Sequence, residues 1–198
     1  KLLGTDHVNL LHIHSLLKED DLAKIEAQDG VLKALYKLRD QKVARAIGVT
    51  SHTDPMTLKT ALERHDFDCT QMALNAARAG MVTPAVEFGL GKPAENSFEK
   101  LALPVANRKK MGVIAMKIFG QEGLVGEAAT DKLLAYSWSL PVSACVVGMP
   151  QLKFIRENVS IAKAYKPLAP GEMKKLGDEV AGRKKVALDL YFSDHVDA

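Results

Sequence analysis

Two hydrophobic periods alternate along the chain. Short runs of apolar and β-branched residues predict strands, whereas apolar residues spaced three and four positions apart predict helices. The runs predict strands over residues 8–16, 43–50, 69–74, 112–119 and 143–149. The helical spacing predicts helices over residues 30–40, from 54 onward, and over 98–111, 128–140, 151–164 and 170–190. Strands and helices therefore follow one another in regular alternation.

Turn and capping residues indicate where some of these predicted elements begin and end. Asp54 is a good N-cap and Pro55 fits the first position of a helix, so the second predicted helix begins there. Residues 75–96 are rich in Gly, Pro and Ala and predict a long loop.

Alternating strands and helices favour parallel βαβ units in an α/β fold. The strands are almost continuously apolar, which predicts that both faces of the sheet are covered. A doubly wound open sheet and a parallel (β/α) barrel of TIM type both fit, and both bind ligands at the carboxyl ends of their strands. The polar or flexible residues at these ends are His14, Thr50 with Ser51, Gln71 with Asn75, Met116 with Lys117, and Gly148 with Met149.

Composition narrows the class of protein. The chain has 198 residues, which we interpret as a single domain over 1–198, with 47% hydrophobic and 26% charged residues. A net charge of +3 is too small to indicate a nucleic-acid-binding protein. No apolar run approaches the roughly 18 residues of a membrane span. Cys69 and Cys145 lack a CxxC spacing and are typical of buried thiols in a reducing compartment, so we expect a cytoplasmic protein without a metal site.

Five segments, taken in order, resemble the aldo-keto reductase superfamily from its fourth barrel strand onward. They are TDHVNLLHIHSL at 5–16, KLRDQKVARAIGVTS at 37–51, TQMALN at 70–75, GVIAMKIFG at 112–120 and VGMPQLKFIREN at 147–158. The resemblance covers roughly residues 2–176. It implies a TIM-type barrel of which this chain holds five of the eight βα units, that is, a partial barrel.

The resemblance also implies a function and a site. Aldo-keto reductases transfer a hydride from a nicotinamide cofactor to an aldehyde or ketone, and His14 corresponds to the histidine that orients the carbonyl. Its neighbour His12 is predicted to be a core or interface residue. By the same resemblance, Thr50, Ser51 and Gln71 bind the carboxamide, Met116 lies under the nicotinamide ring, and Lys117 lies near the pyrophosphate. The residues that correspond to the adenosine site are Gly148, Met149, Gln151, Glu157 and Asn158.

The family draws its catalytic tyrosine, lysine and aspartate from the first three strands, which have no counterpart in residues 1–198. Two hypotheses therefore stand: an NAD(P)H-dependent carbonyl reductase represented by its carboxyl-terminal part, or a non-catalytic dinucleotide-binding or subunit-like module. The cofactor is expected to be NADP by resemblance, with NAD left open because Phe154 stands where the family often has an arginine. Five parallel strands cannot close an eight-stranded barrel. We therefore expect that the chain either associates with another chain through its open sheet edges or adopts an open sheet.

Overall fold

A computed structural model describes residues 4–80 and 96–193. Its strands are β1 (Val8–Ile13), β2 (Ala44–Ser51), β3 (Cys69–Ala73), β4 (Gly112–Met116) and β5 (Ala144–Cys145). Its helices are α1 (Glu19–Glu26), α2 (Val31–Asp40), α3 (Pro55–Arg64), α4 (Phe98–Leu101), α5 (Leu103–Arg108), α6 (Thr130–Trp138), α7 (Leu152–Ala164) and α8 (Pro170–Ser193). Part of the loop predicted over 75–96 lies outside the described residues.

The five strands form one parallel sheet whose spatial order is the order of the chain, from β1 to β5. A doubly wound sheet reverses its strand order at a switch point, whereas a barrel adds strands in sequence. The α/β class and the barrel-type strand order are therefore confirmed, and the sheet is not closed. Within the described residues, no strand pairs with the outer edge of β1 or of β5.

The two faces of the sheet differ in burial. Ile47, Val49 and Met72 alternate onto the face that the helices cover, and all three are buried in the main hydrophobic core. The opposite face carries the side chains of Leu10, His12, Ala46, Gln71 and Ile114, which are all half-buried. We call this the open face. Among the described residues, helices cover only the first of these faces, so the prediction that both faces are covered is wrong for this part of the chain.

The predicted elements need four corrections. Helix α1 was absent from the predicted elements. The predicted helix over 98–111 is two short helices, because Pro104 has no N–H to continue the first one. The predicted strands over 8–16 and 112–119 end early, at Ile13 and Met116. The last strand, predicted over 143–149, is only two residues long. Cys145 pairs with Ala115, and β4 ends one residue later at Met116, so the residues after Cys145 have almost no strand beside them.

The third helix begins where the sequence indicates. Asp54 is the N-cap of α3, and its Oδ1 accepts hydrogen bonds from the backbone N–H groups of Met56 at 2.9 Å and Thr57 at 3.0 Å. Pro55 occupies the first turn. This cap fixes the chain directly after the carboxyl end of β2.

A second hydrophobic cluster lies between the carboxyl ends of the strands and α8. It contains Ala76, Ala77 and Ala79 of the segment after β3, Leu124 of the segment after β4, Leu133 and Tyr136 of α6, and Val180, Leu188 and Phe192 of α8. The last helix is therefore packed against the segments that follow β3 and β4. No helix in the described residues has both the length and the apolar content needed to cross a membrane.

Candidate functional site

The strand register aligns three polar side chains at the carboxyl edge of the open face. Ile13 is the register partner of Val49, so His14 follows at the level of Thr50, and Thr50 is in turn the partner of Gln71. His14 Nδ1 and Thr50 Oγ1 share a hydrogen bond of 2.8 Å. His14 is exposed, whereas Thr50 is buried. This edge therefore presents an imidazole, a hydroxyl and an amide in one row.

Met116 lies one row further along, at the end of β4. Gln71 Nε2 donates to Met116 Sδ over 3.2 Å, and a thioether is a weak acceptor. Met116 itself is buried. The Gln71 amide is thus weakly held and could exchange this contact for a stronger acceptor.

Ser51 does not join this row. Side chains alternate along a strand, so Ser51 lies on the face opposite Thr50, where its register partner Met72 is buried in the core. Its side chain is fully buried, and its Oγ has no hydrogen-bond partner in the described part of the chain.

The segment after β4 turns sharply beside Lys117, which has a left-handed φ of 56°. The Lys117 carbonyl accepts a hydrogen bond of 2.9 Å from Asn75 Nδ2. The Lys117 side-chain ammonium lies 5.7 Å from the centre of the Phe192 ring. Further left-handed residues follow at Gly120, Gln121 and Glu122. Such successive turns can direct backbone N–H groups toward an anion.

The five residues predicted for the adenosine site lie at the opposite, β5 side of the sheet. Gly148, Met149, Gln151 and Glu157 are exposed and Asn158 is half-buried. Gln151 is the N-cap residue of α7, but its side chain makes no capping hydrogen bond. An open cleft of about 370 Å³ is lined by Leu152, Lys153, Arg156 and Glu157. Two basic side chains therefore stand beside the predicted adenosine residues.

His12 lies one row below His14 on the open face. Its ring occupies the space above Gly48, where an added Cβ would approach His12 Cδ2 to 2.5 Å. Its Nε2 is buried and has no hydrogen-bond partner among the described residues. Burial and the neighbouring His14 lower the pKa of His12, which favours the neutral form of its ring.

The four tyrosines do not complete a proton-donating site. Tyr36, Tyr136 and Tyr191 lie in helices, and Tyr165 is the C-cap of α7. Tyr136 Oη donates to Glu99 Oε2 at 2.7 Å and accepts from Arg78 Nε at 3.1 Å. Burial raises the pKa of Tyr136. Over residues 4–80 and 96–193, no three His, Cys, Asp or Glu side chains are grouped in a way that could hold a metal ion.

Sequence reasoning missed one cluster at this edge. Lys185 and Asp189 of α8 are buried and hydrogen-bonded to each other. Three further hydrogen bonds join the pair to the Arg78 and Asn96 carbonyls and to the Gly80 backbone N–H. More than a hundred residues separate Arg78 and Gly80 from their partners in α8. The only sequence signal is a lysine and an aspartate four positions apart in a predicted helix, which is ordinarily typical of a solvated pair.

Comparison with solved structures identifies the fold. The holo form of the aldo-keto reductase AKR11C1 from Bacillus halodurans superposes with a TM-score of 0.62 at 16% identity, over 89% of this chain and 60% of that chain. The thermostable aldo-keto reductase Tm1743, in complex with the inhibitor epalrestat, gives a TM-score of 0.57 at 21% identity, over 89% of this chain and 61% of that one. This chain has the fold of part of an aldo-keto reductase.

The aldo-keto reductase-like fold predicted from the five sequence segments is thus confirmed at the level of structure. The chain spans about 60% of the length of the reductases that it matches. No protein-family model matches the sequence, and no curated protein does. The roles of the individual site residues stay predictions.

Proposed function

We propose that this chain binds NADPH across the carboxyl edge of its sheet and forms the nucleotide-binding part of a reductase that converts aldehydes or ketones to alcohols. The observation that carries this proposal is the row of His14, Thr50 and Gln71 at one edge of the open face. The aldo-keto reductase-like fold supports the same assignment.

The side chains present fit a nicotinamide carboxamide. The group has one acceptor oxygen and one NH₂ donor, and the Thr50 hydroxyl and the Gln71 amide can each donate and accept. Because Gln71 donates only to the weak acceptor Met116 Sδ, its amide can exchange this contact for one to the carboxamide. Met116 offers a polarisable sulfur that can pack on an aromatic ring face. Ser51 fits less well, because its hydroxyl is buried on the other face.

The remaining residues fit a nucleotide phosphate and an adenosine. Lys117 and the left-handed turns after it suit the pyrophosphate. Gly148, Met149, Gln151, Glu157 and Asn158 suit the adenosine end. Lys153 and Arg156 line the cleft beside Glu157 and favour a cofactor with an additional phosphate, which is why we propose NADPH over NADH.

NADPH, when bound, supplies a hydride, and the carbonyl oxygen of the substrate gains negative charge that needs hydrogen-bond donors. His14 can provide one. If the Thr50 hydroxyl donates to Nδ1, the neutral ring carries its proton on Nε2 and can donate it toward that oxygen. The small-molecule carbonyl substrate would therefore lie against the exposed His14.

The binding test is a titration of the 198-residue chain with NADPH, followed by nucleotide fluorescence. Thr50→Val and Gln71→Leu should each weaken binding about tenfold, because each removes a hydrogen bond to the carboxamide. Thr60→Val is the matched control, since Thr60 lies on α3 and donates to the Met56 carbonyl, away from the sheet edge. Equal affinity in all of these proteins would contradict the proposal.

A non-catalytic nucleotide-binding module is the second candidate, and the positions of the four tyrosines favour it, since none follows a strand. The two candidates differ in turnover. NADPH oxidation with an aromatic aldehyde that is lost in His14→Ala would support the reductase for this chain itself. Binding without turnover would support the module, or a reductase whose other catalytic groups come from outside these residues.

A further inference from the structure

Helix α8 spans the carboxyl edge at which we propose nucleotide binding. Its Phe192 ring meets the His52 ring, which follows β2, at a centroid distance of 6.1 Å, and lies 5.7 Å from the Lys117 ammonium. Its Leu188 side chain lies against Gly120 and Gly123, where an added Cβ would come within 3.1 Å and 2.9 Å of it. One helix therefore contacts the segments after β2 and β4 of the proposed site.

The segment after β3 is attached to α8 by a buried ion pair. Lys185 Nζ lies 2.7 Å from Asp189 Oδ2, and both residues are only 1% exposed. Lys185 Nζ also donates to the carbonyls of Arg78 and Asn96, each at 2.8 Å. Asp189 Oδ1 accepts from the Gly80 backbone N–H at 2.6 Å. The Lys185 ammonium thus donates three hydrogen bonds, one for each of its hydrogens, to Arg78, Asn96 and Asp189.

This pair is poorly explained as a source of stability. Burial lowers the pKa of Lys185 and raises that of Asp189 to about 6, which shows the cost of removing both charges from water. Well-packed apolar side chains of similar volume often stabilise a protein as well as a buried ion pair does. Apolar side chains could not, however, hold two carbonyls and an N–H in fixed positions.

Hydrogen bonds continue from this pair to Lys117. The Arg78 N–H donates to the Asn75 carbonyl at 2.8 Å. The Asn75 side chain accepts from Ala77 N–H at 3.1 Å through Oδ1 and donates to the Lys117 carbonyl at 2.9 Å through Nδ2. The position of the β3 segment is thereby linked to the backbone at Lys117.

We propose that Lys185 and Asp189 are positioning residues for the nucleotide site: they hold the segment after β3 against α8 so that Asn75 fixes the backbone of Lys117 for the pyrophosphate. This inference rests on the proposed function. The pair acts through backbone groups and needs no contact with the nucleotide.

The test is NADPH affinity in Lys185→Met/Asp189→Leu, in which both charges are replaced together so that neither remains buried alone. The second attachment of Arg78 to α8, from Nη1 to Asp178 Oδ1 at 2.8 Å, is left intact and supports folding. We expect the dissociation constant for NADPH to rise about tenfold, a typical coupling between sites. Amide hydrogen exchange at Ala77 and Gly80 should accelerate at the same time.

The matched control is Lys175→Met/Glu179→Leu. This pair has the same spacing on the same helix, but its side chains are 79% and 52% exposed. All proteins are compared at a temperature where circular dichroism shows them fully folded, so a loss of stability alone would not alter the affinity. Lys185→Gln/Asp189→Asn is a second variant, which leaves no charge buried alone, keeps an acceptor for Gly80 and should weaken binding less than the apolar double replacement.

The outcomes separate the two proposals. A wild-type chain that does not bind NADPH overturns the proposed function and this inference with it. A wild-type chain that binds, together with a double variant that binds equally well, overturns this inference alone. Loss of affinity in the Lys185/Asp189 variant without loss in the Lys175/Glu179 variant supports it.

Discussion

At the scale of single residues, Gly48 shows how closely the open face is packed. An added Cβ there would lie 2.4 Å from the Cys69 carbonyl oxygen and 2.5 Å from His12 Cδ2. The carbonyl belongs to the neighbouring strand and cannot move alone. We expect Gly48→Ala to lower the free energy of unfolding by about 1–3 kcal/mol or more, measured by urea denaturation. Gly182→Ala, with open space around it in α8, should instead raise stability by about 0.5–1 kcal/mol.

His12 makes a residue-scale prediction about pH. Burial and the neighbouring His14 lower its pKa below the ordinary 6.5, so the unfolded chain binds a proton there more readily than the folded chain. The stability that depends on the neutral ring is therefore lost as pH falls below about 6.5. Between about pH 7.5 and 5.5 the free energy of unfolding should fall more steeply in the wild type than in His12→Gln. Parallel pH profiles for the two proteins would contradict this.

Residues at strand ends were predictable, whereas their environments were not. The rule that ligands bind at the carboxyl ends of strands selects residues at or near the ends of the apolar runs. These are His14, Thr50, Ser51, Gln71, Asn75, Met116, Lys117, Gly148 and Met149. Alternation along β2 places Thr50 and Ser51 on opposite faces, but the sequence could not show which of the two lies on the open face. Nor could it reveal Lys185 and Asp189, whose partners at Arg78 and Gly80 are brought to them only by the fold.

At the scale of elements, the cap of α3 carries a direct test. The Asp54 carboxylate accepts from two backbone N–H groups and from Thr57 Oγ1, the last at 2.6 Å. Asp54→Ala leaves these donors without their acceptor, so we expect a loss of about 1–2 kcal/mol in the free energy of unfolding. Asp54→Asn keeps one acceptor oxygen and should lose less. Equal losses of unfolding free energy in Asp54→Ala and Asp54→Asn would show that the N-cap hydrogen bonds are not the cause of the destabilisation.

The differences between the predicted and the observed helices and strands have physical causes. Helix α1 has only Leu22 and Ile25 buried, and two large apolar residues among eight give little periodic signal. Strand β5 is preceded and followed by apolar residues, so hydrophobicity suggested a longer strand. Its length is instead limited by pairing, because β4, its partner in the described part of the chain, ends at Met116.

At the scale of the whole molecule, the helices differ in how much of their surface is buried against the rest of the chain. Helix α6 buries five residues, whereas α7, at the edge of the sheet, buries none. Five apolar side chains on and before α7 are substantially exposed: Val146, Met149, Leu152, Ile155 and Val159. We call them the α7 patch. An apolar patch beside an unpaired strand edge is typical of a surface that another polypeptide covers.

This asymmetry predicts that the 198-residue chain associates through its open edges. Sedimentation velocity should show an average mass that rises with protein concentration, because burying the α7 patch removes apolar surface from water. Leu152→Glu/Ile155→Glu should shift the chain toward the monomer without unfolding it, since both side chains lie on the surface. Met56→Glu is the matched control, because Met56 is 52% exposed on α3 but is not part of the α7 patch. A wild-type chain that stays a stable monomer at every concentration would contradict the prediction and would mean that the α7 patch is tolerated in water.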